Sequence, residues 1–81
     1  MADHELSYGE KAVGLSFNPS GDSDVDKIKR LYAEIIDRID ELRAAAQLHP
    51  GWEEKGRLAS IAITEAQSAQ MWAVKAISFR S

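Results

Sequence analysis

The four residues Leu48-His49-Pro50-Gly51 constrain the chain most, because they interrupt two helical patterns of similar length. Proline cannot continue a helix, and glycine supplies the backbone freedom for a turn. Two long helices joined by so short a turn fold back on each other, so the expected centre of the fold is an antiparallel helical hairpin. The chain has 81 residues, which permits one domain and buries a smaller share of surface than a longer chain would. An isolated helix pair is marginal, so a core shared between copies of the chain is expected.

The first helix is written in Val25, Ile28, Tyr32, Ile35, Ile39 and Leu42, which recur at alternating steps of three and four, with Leu31 and Ile36 widening the stripe. That spacing predicts an amphipathic helix with a coiled-coil-like seam. Ser23 is the expected N-cap, and Asp26 three residues later completes a weak capping box. Lys27, Arg30, Glu34, Asp37, Arg38 and Glu41 fall on the other faces, some at spacings that allow pairing one turn apart. The helix should end near Gln47. A second should begin between Trp52 and Arg57 and run almost to Phe79, with Gly56 weakening its first turn. Residues 1–22 form an arm holding Gly9, Gly14, Gly21 and Pro19, in which "AVGLSF" is the only strand-like stretch. The fold class predicted is therefore all-α: a two-helix hairpin over 23–81 with a short irregular or strand-like N-terminal arm.

Composition removes several functions. There is no cysteine, so neither a disulfide framework nor a cysteine-based metal site exists, and a reducing compartment is the natural setting. Thirteen acidic against ten basic side chains give a net charge of −3, which argues against general binding to a polyanion such as duplex DNA while leaving room for a small anion held by a few placed cations. No apolar run approaches the roughly 20 residues that span a membrane. "MADHELSYGEKAV" has neither the basic nor the apolar region of a secretory signal, so the expected location is the cytoplasm of the cell that makes the protein. His4 and His49 lack ligand spacing and read as surface residues. No Ser/His/Asp arrangement, phosphate loop or pair of catalytic carboxylates stands out, so no enzyme, metal or cofactor is expected.

The second helix carries the functional signal. Between Leu58 and Val74 the only charged residue is Glu65, and a helix so poor in charge is covered on most sides. One partner helix covers one side; the remainder points to contacts between copies. Ala62, Ala66, Ala69, Ala73 and Ala76 form a small-residue seam suited to close helix packing. Arg57, Thr64, Ser68 and Lys75 share another stripe, with Met71 among them and Gln67 and Trp72 at its edges. Two readings stay open for that stripe. It cradles phosphates with Trp72 offering an aromatic face, or its cations are solvated, its hydroxyls bond back to the backbone and Trp72 is core. In the arm, "FNPSGD" reads as a turn followed by a helix cap; the sharper reading has Tyr8, Lys11 and the glycine-flexed backbone fold over a ligand at the hairpin's edge.

The tract "RLASIAITEAQSAQMWAVKAI", preceded by "IKRLYAEIIDRIDELR" and a short turn, resembles the helical-hairpin domain of phage anti-CBASS and anti-Thoeris sponges. Its most specific part is Thr64, Met71, Trp72, Ala73, Ala76 and Ile77, with Arg57 seven residues before the threonine. The resemblance spans residues 25–79 and implies capture without catalysis: a cyclic oligonucleotide or cyclic ADP-ribose isomer made by an infected bacterium is held uncleaved. It also implies a symmetric homo-oligomer, commonly a hexamer built from trimers, with two kinds of pocket. Carried over by the resemblance, Arg57 and Thr64 face the phosphates of a cyclic trinucleotide on a threefold axis. In the other pocket, which takes cyclic dinucleotides, Tyr8 stacks on a base and Lys11 contacts a phosphate. Met71 and Trp72 are assigned to packing, and the role of Lys75 is left open. The competing expectation is an oligomeric hairpin that acts as a structural or adaptor module without a small ligand.

Overall fold

The computed structural model describes residues 5–80, and the expected His4 lies outside them. The element order is α1 (Tyr8–Ala12), α2 (Ser23–Leu48) and α3 (Glu53–Ser78), with no strand among the described residues. The all-α class and the hairpin follow the sequence expectation; the strand-like arm does not. "AVGLSF" runs from the last residue of α1 into a series of turns, because Gly14 adopts φ +64°, a left-handed conformation that an extended strand excludes and that only glycine takes without strain.

Helix α2 starts where its cap dictates. Asp22 occupies the N-cap, and its carboxylate accepts a hydrogen bond from the Asp24 amide at 2.8 Å. Ser23 is thus the first helical residue and not the cap. The preceding turn is held by Asn18, whose side-chain amide donates to the Asp22 carbonyl at 2.9 Å, so the turn-plus-cap reading of "FNPSGD" describes its structure. The connection to α3 runs through Pro50 and Gly51, the latter at φ +87°. His49 and Trp52 stack there with ring centroids 4.2 Å apart.

The core is thin. Val13, Ala33, Ile36 and Ile63 are buried together, with Ala12, Leu15, Tyr32, Ile39 and Ala66 packed around them. Removing Ile36 and Ile63 from water contributes about 1.5–3 kcal/mol each. Compared with the expected seam, the contact line on α2 is rotated toward Val25, Lys29, Ala33, Ile36 and Ala46. On α3 it runs through Ala59, Ile63, Ala66 and Gln70 rather than along Ala62, Ala69 and Ala76. The arm causes the rotation, because it packs on α2 from one side and its Val13 enters the same core.

Two residues seat the arm. Gly9 is buried, and its amide donates to the Asp37 carboxylate at 2.7 Å. A β-carbon there would stand 2.8 Å from that carboxylate and 2.9 Å from the Ala33 carbonyl carbon, with the carbonyl oxygen nearer still. Only glycine lets α1 lie this close to α2. Lys29, 5% exposed, donates from Nζ to the carbonyls of Gly14 and Phe17 and so fastens the turn that follows α1.

The molecule is flat, 49 × 40 × 12 Å. Projected at 100° per residue, Leu31, Ile35 and Leu42 of α2 lie opposite Ala33 and Asp37, the residues that meet the arm. Leu58, Ile61 and Trp72 of α3 lie opposite Gln67, which reaches the arm through a hydrogen bond to the Ala12 carbonyl at 3.4 Å. All six are exposed, from 45% for Leu42 and Ile61 to 68% for Trp72. The side of the hairpin away from the arm is therefore a largely apolar face, with Arg38 and Glu65 among its exposed residues, that the described residues leave uncovered. Monomers rarely show such faces unless something docks on them.

Candidate ligand-binding site

The arm presents Tyr8 and Lys11 from a helix of little more than one turn. Ser7 and Glu10 stabilise it by a reciprocal capping box: the Glu10 amide donates to Ser7 Oγ at 3.1 Å and the Ser7 amide to Glu10 Oε1 at 2.8 Å. Tyr8 is half-exposed and its ring lies beneath the Arg43 guanidinium, 5.2 Å from centroid to Cζ. Arg43 is a junction. It donates to Asp40 at 2.7 Å and reaches Ser60 of α3 at 3.5 Å, so one cation ties arm, α2 and α3 together. The Tyr8 side chain, and after it the Asp40 carboxylate, pushes the guanidinium above its ordinary value.

Lys11, one turn further on, leaves Tyr8 and borders a different space. This cleft, of about 570 Å³, lies between the arm and α3, and Lys29, Phe17, Gln67 and Gln70 also line it. Tyr8 and Lys11 are thus neighbours on α1 but serve two surroundings.

Arg57 and Thr64 sit on one exposed stripe of α3, seven residues or about 10 Å apart along the axis. Arg57 grips Glu54 through two hydrogen bonds of 2.9 and 2.6 Å. The pairing raises the arginine and holds the Glu54 carboxyl below its ordinary range. Arg57 also borders a groove of about 650 Å³ at the turn end, shared with Arg43, Trp52 and Ser60. Thr64 donates its hydroxyl to the Ser60 carbonyl at 3.2 Å, the backbone bond that the plainer sequence reading expected. One protomer offers these side chains to solvent without enclosing them. Met71 and Trp72, assigned to packing, are 63% and 68% exposed, so the chain's own core does not use them. Lys75 is exposed at the far end of α3 beside Phe79 and Arg80.

Among the described residues, no cluster of three or more His, Asp or Glu side chains is arranged to hold a metal ion, and no helix is long and apolar enough to cross a membrane. The protein thus presents ion-paired arginines at the turn end and a lysine-lined cleft beside the arm, on a hairpin with a largely apolar back.

A family model described as Acb2/Tad1, hairpin domain, matches residues 10–78. The chain belongs to the Acb2/Tad1 hairpin family. This is the anti-CBASS and anti-Thoeris sponge family to which the sequence pointed. Neither a curated protein nor a solved structure matches the chain. The Acb2/Tad1 match takes in the latter part of the arm, Lys11 included, and begins just after Tyr8.

Three polar residues that the Acb2/Tad1 hairpin places at its junctions were not visible as site candidates. Arg43 looked like one more charge on an amphipathic helix. Lys29 lies one turn after Val25 and one before Ala33, and Gln70 two turns after Ile63. A helical projection centred on Ile36 and Ile63 would have flagged both as polar residues on the packed side.

Proposed function

We propose that the protein is an anti-defence sponge, encoded by a phage or prophage, that sequesters a cyclic nucleotide immune signal in the bacterial cytoplasm without cleaving it. The match to the Acb2/Tad1 hairpin family over residues 10–78 carries this reading. The ligand class is cyclic di- or trinucleotides, with cyclic ADP-ribose isomers as further members. Capture prevents the signal from reaching a CBASS or Thoeris effector.

The physical arrangement suits the task. A cyclic nucleotide combines several phosphate charges with flat bases, so a few charge-assisted hydrogen bonds plus stacking give high affinity. Arg57 and Thr64 stand exposed on one stripe, where copies related by a symmetry axis converge on a cyclic trinucleotide. Tyr8 stacks on a base at a second pocket, and Lys11, which borders the cleft between arm and α3, meets a phosphate from there. The apolar side formed by Leu31, Ile35, Leu42, Leu58, Ile61 and Trp72 supplies the contact between protomers and supports a homo-oligomer, with a hexamer as the expected size. Helices held rigidly by neighbouring protomers reduce the ordering cost of binding.

An adaptor reading draws on the Arg57–Glu54 ion pair and the Thr64 backbone bond, both of which satisfy these side chains internally. A thermal-shift panel of cyclic nucleotides separates the two, since a ligand that binds only the folded state raises its apparent stability. Wild type should be stabilised by at least one cyclic nucleotide. The Arg57→Ala/Thr64→Ala variant should lose the shift with cyclic trinucleotides while remaining assembled. A flat response of the wild type to the whole panel would sink the sponge reading.

A further inference from the structure

Gln70 is anomalous on the packed side of α3. It is 5% exposed, yet its side-chain amide makes no hydrogen bond to another described residue. A buried amide without a partner is costly, and native structures seldom keep one without a use for it. No side-chain nitrogen or oxygen among the described residues is both sealed from solvent and unpaired. The Gln70 amide therefore opens into the cleft it borders, between arm and hairpin.

The same cleft has a one-sided charge. Lys11 and Lys29 line it, and no Asp or Glu does. Lys29 is as deeply buried as Gln70, and two of its three ammonium protons go to the carbonyls of Gly14 and Phe17. The ammonium also lies 5.6 Å from the centroid of the Phe17 ring, which lines the same cleft, and its third proton goes to no oxygen acceptor among the described residues. Apolar Met71 and Val74 complete the lining, and at about 570 Å³ the cleft has the size of a small-molecule site.

We infer that this cleft is a nucleotide subsite contained within one protomer, in which Lys11 and Lys29 hold a phosphate and Gln70 reads the edge of the base. A primary amide presents a donor and an acceptor side by side, the pattern found on the hydrogen-bonding edge of a nucleobase. The base lies against Met71 and Val74. The choice of a nucleotide and the phosphate role of Lys11 rest on the sponge reading, whereas Lys29 and Gln70 come from the cleft alone. The subsite lies apart from Arg57 and Thr64, so it binds its share of a ligand without a symmetry axis.

Two probes test this: adenosine 5′-monophosphate, which carries a base, and ribose 5-phosphate, which does not. Titrated into isotopically labelled full-length protein, the nucleotide should shift the Gln70 side-chain amide resonances, and ribose 5-phosphate should bind roughly tenfold more weakly without moving them. Gln70→Met, which preserves volume and removes the unpartnered amide, should keep the fold and reduce nucleotide binding to the level of the sugar phosphate. Equal binding of the two probes, or nucleotide-induced shifts that avoid Gln70, overturns the proposal without recourse to any variant. A cyclic nucleotide panel run in parallel separates the failures. If wild type and Gln70→Met bind the panel equally, the subsite is wrong and the sponge reading stands. If the mononucleotide engages Gln70 and no cyclic nucleotide binds, the sponge reading is wrong and the subsite stands.

Discussion

Replacing Gly9 by alanine should detach the arm while leaving the hairpin folded. The added β-carbon would meet Ala33 backbone carbon at 2.9 Å and Asp37 Oδ1 at 2.8 Å, where carbon contacts normally begin near 3.5 Å. The obstacle is helix backbone that cannot turn aside, and the Ala33 carbonyl oxygen stands nearer still, so α1 must retreat by about an ångström or more. That movement stretches the 2.7 Å bond from the Gly9 amide to Asp37, and hydrogen bonds to a charged group are each worth about 1.5–3 kcal/mol. It also lifts Val13 from the core and Tyr8 from Arg43, the latter contact worth about 0.5–1 kcal/mol at a partly exposed site. Arm docking should weaken by about 2–4 kcal/mol, since those terms overlap. Hydrogen exchange is the assay. Amides of residues 9–17 should lose roughly thirtyfold to a thousandfold of protection, with α2 and α3 little changed and circular dichroism nearly unaltered. Unchanged protection across 9–17 would refute the view that Gly9 is there for close approach.

Other consequences are as specific. Asp22→Ala should destabilise α2 by about 1 kcal/mol and Ser23→Ala should be close to neutral, because Asp22 makes the capping bond; denaturant midpoints of the two variants decide it. Arg57 holds the Glu54 carboxyl below its ordinary value of 4.5, so the pair's small stabilisation is fully present above pH 4.5 and is lost as pH falls below it toward the lowered folded value. Glu54→Gln should remove that acid-side dependence in thermal melts and, by freeing Arg57, strengthen trinucleotide binding severalfold. Leu31→Glu combined with Trp72→Glu places charge on the uncovered, largely apolar side and should reduce the proposed homo-oligomer to smaller species in light scattering, with helicity retained.

How much of this was legible in the sequence depends on the range of the forces involved. The turn at Pro50-Gly51 and the helix limits near Leu48 and Ser78 follow from local backbone chemistry, and they came out within a residue or two. The exact contact line did not, because the apolar stripe of α2 is wider than the strip its partner covers. Ile35 and Ile36 look equivalent in sequence; the arm decides that Ile36 is fully buried and Ile35 half-exposed. Short helix α1 was unreadable for a related reason. Its five residues are held by the Ser7/Glu10 capping box and by docking on Asp37, and nothing in "SYGEKAVG" carries a helical period long enough to detect. The resemblance to the family singled out Arg57 and Thr64 as candidates. Lys29, Arg43 and Gln70 were not, since their roles arise only when arm, α2 and α3 meet.

Ligand depletion and recovery test the central claim most directly. The purified protein is incubated with a panel of cyclic di- and trinucleotides and cyclic ADP-ribose isomers, free ligand is measured, and the protein is then denatured by heat. At least one ligand should disappear from the free pool in proportion to protein and return chemically intact after heating. Free ligand undiminished across the panel, or recovery of a cleaved product, would contradict sequestration without catalysis.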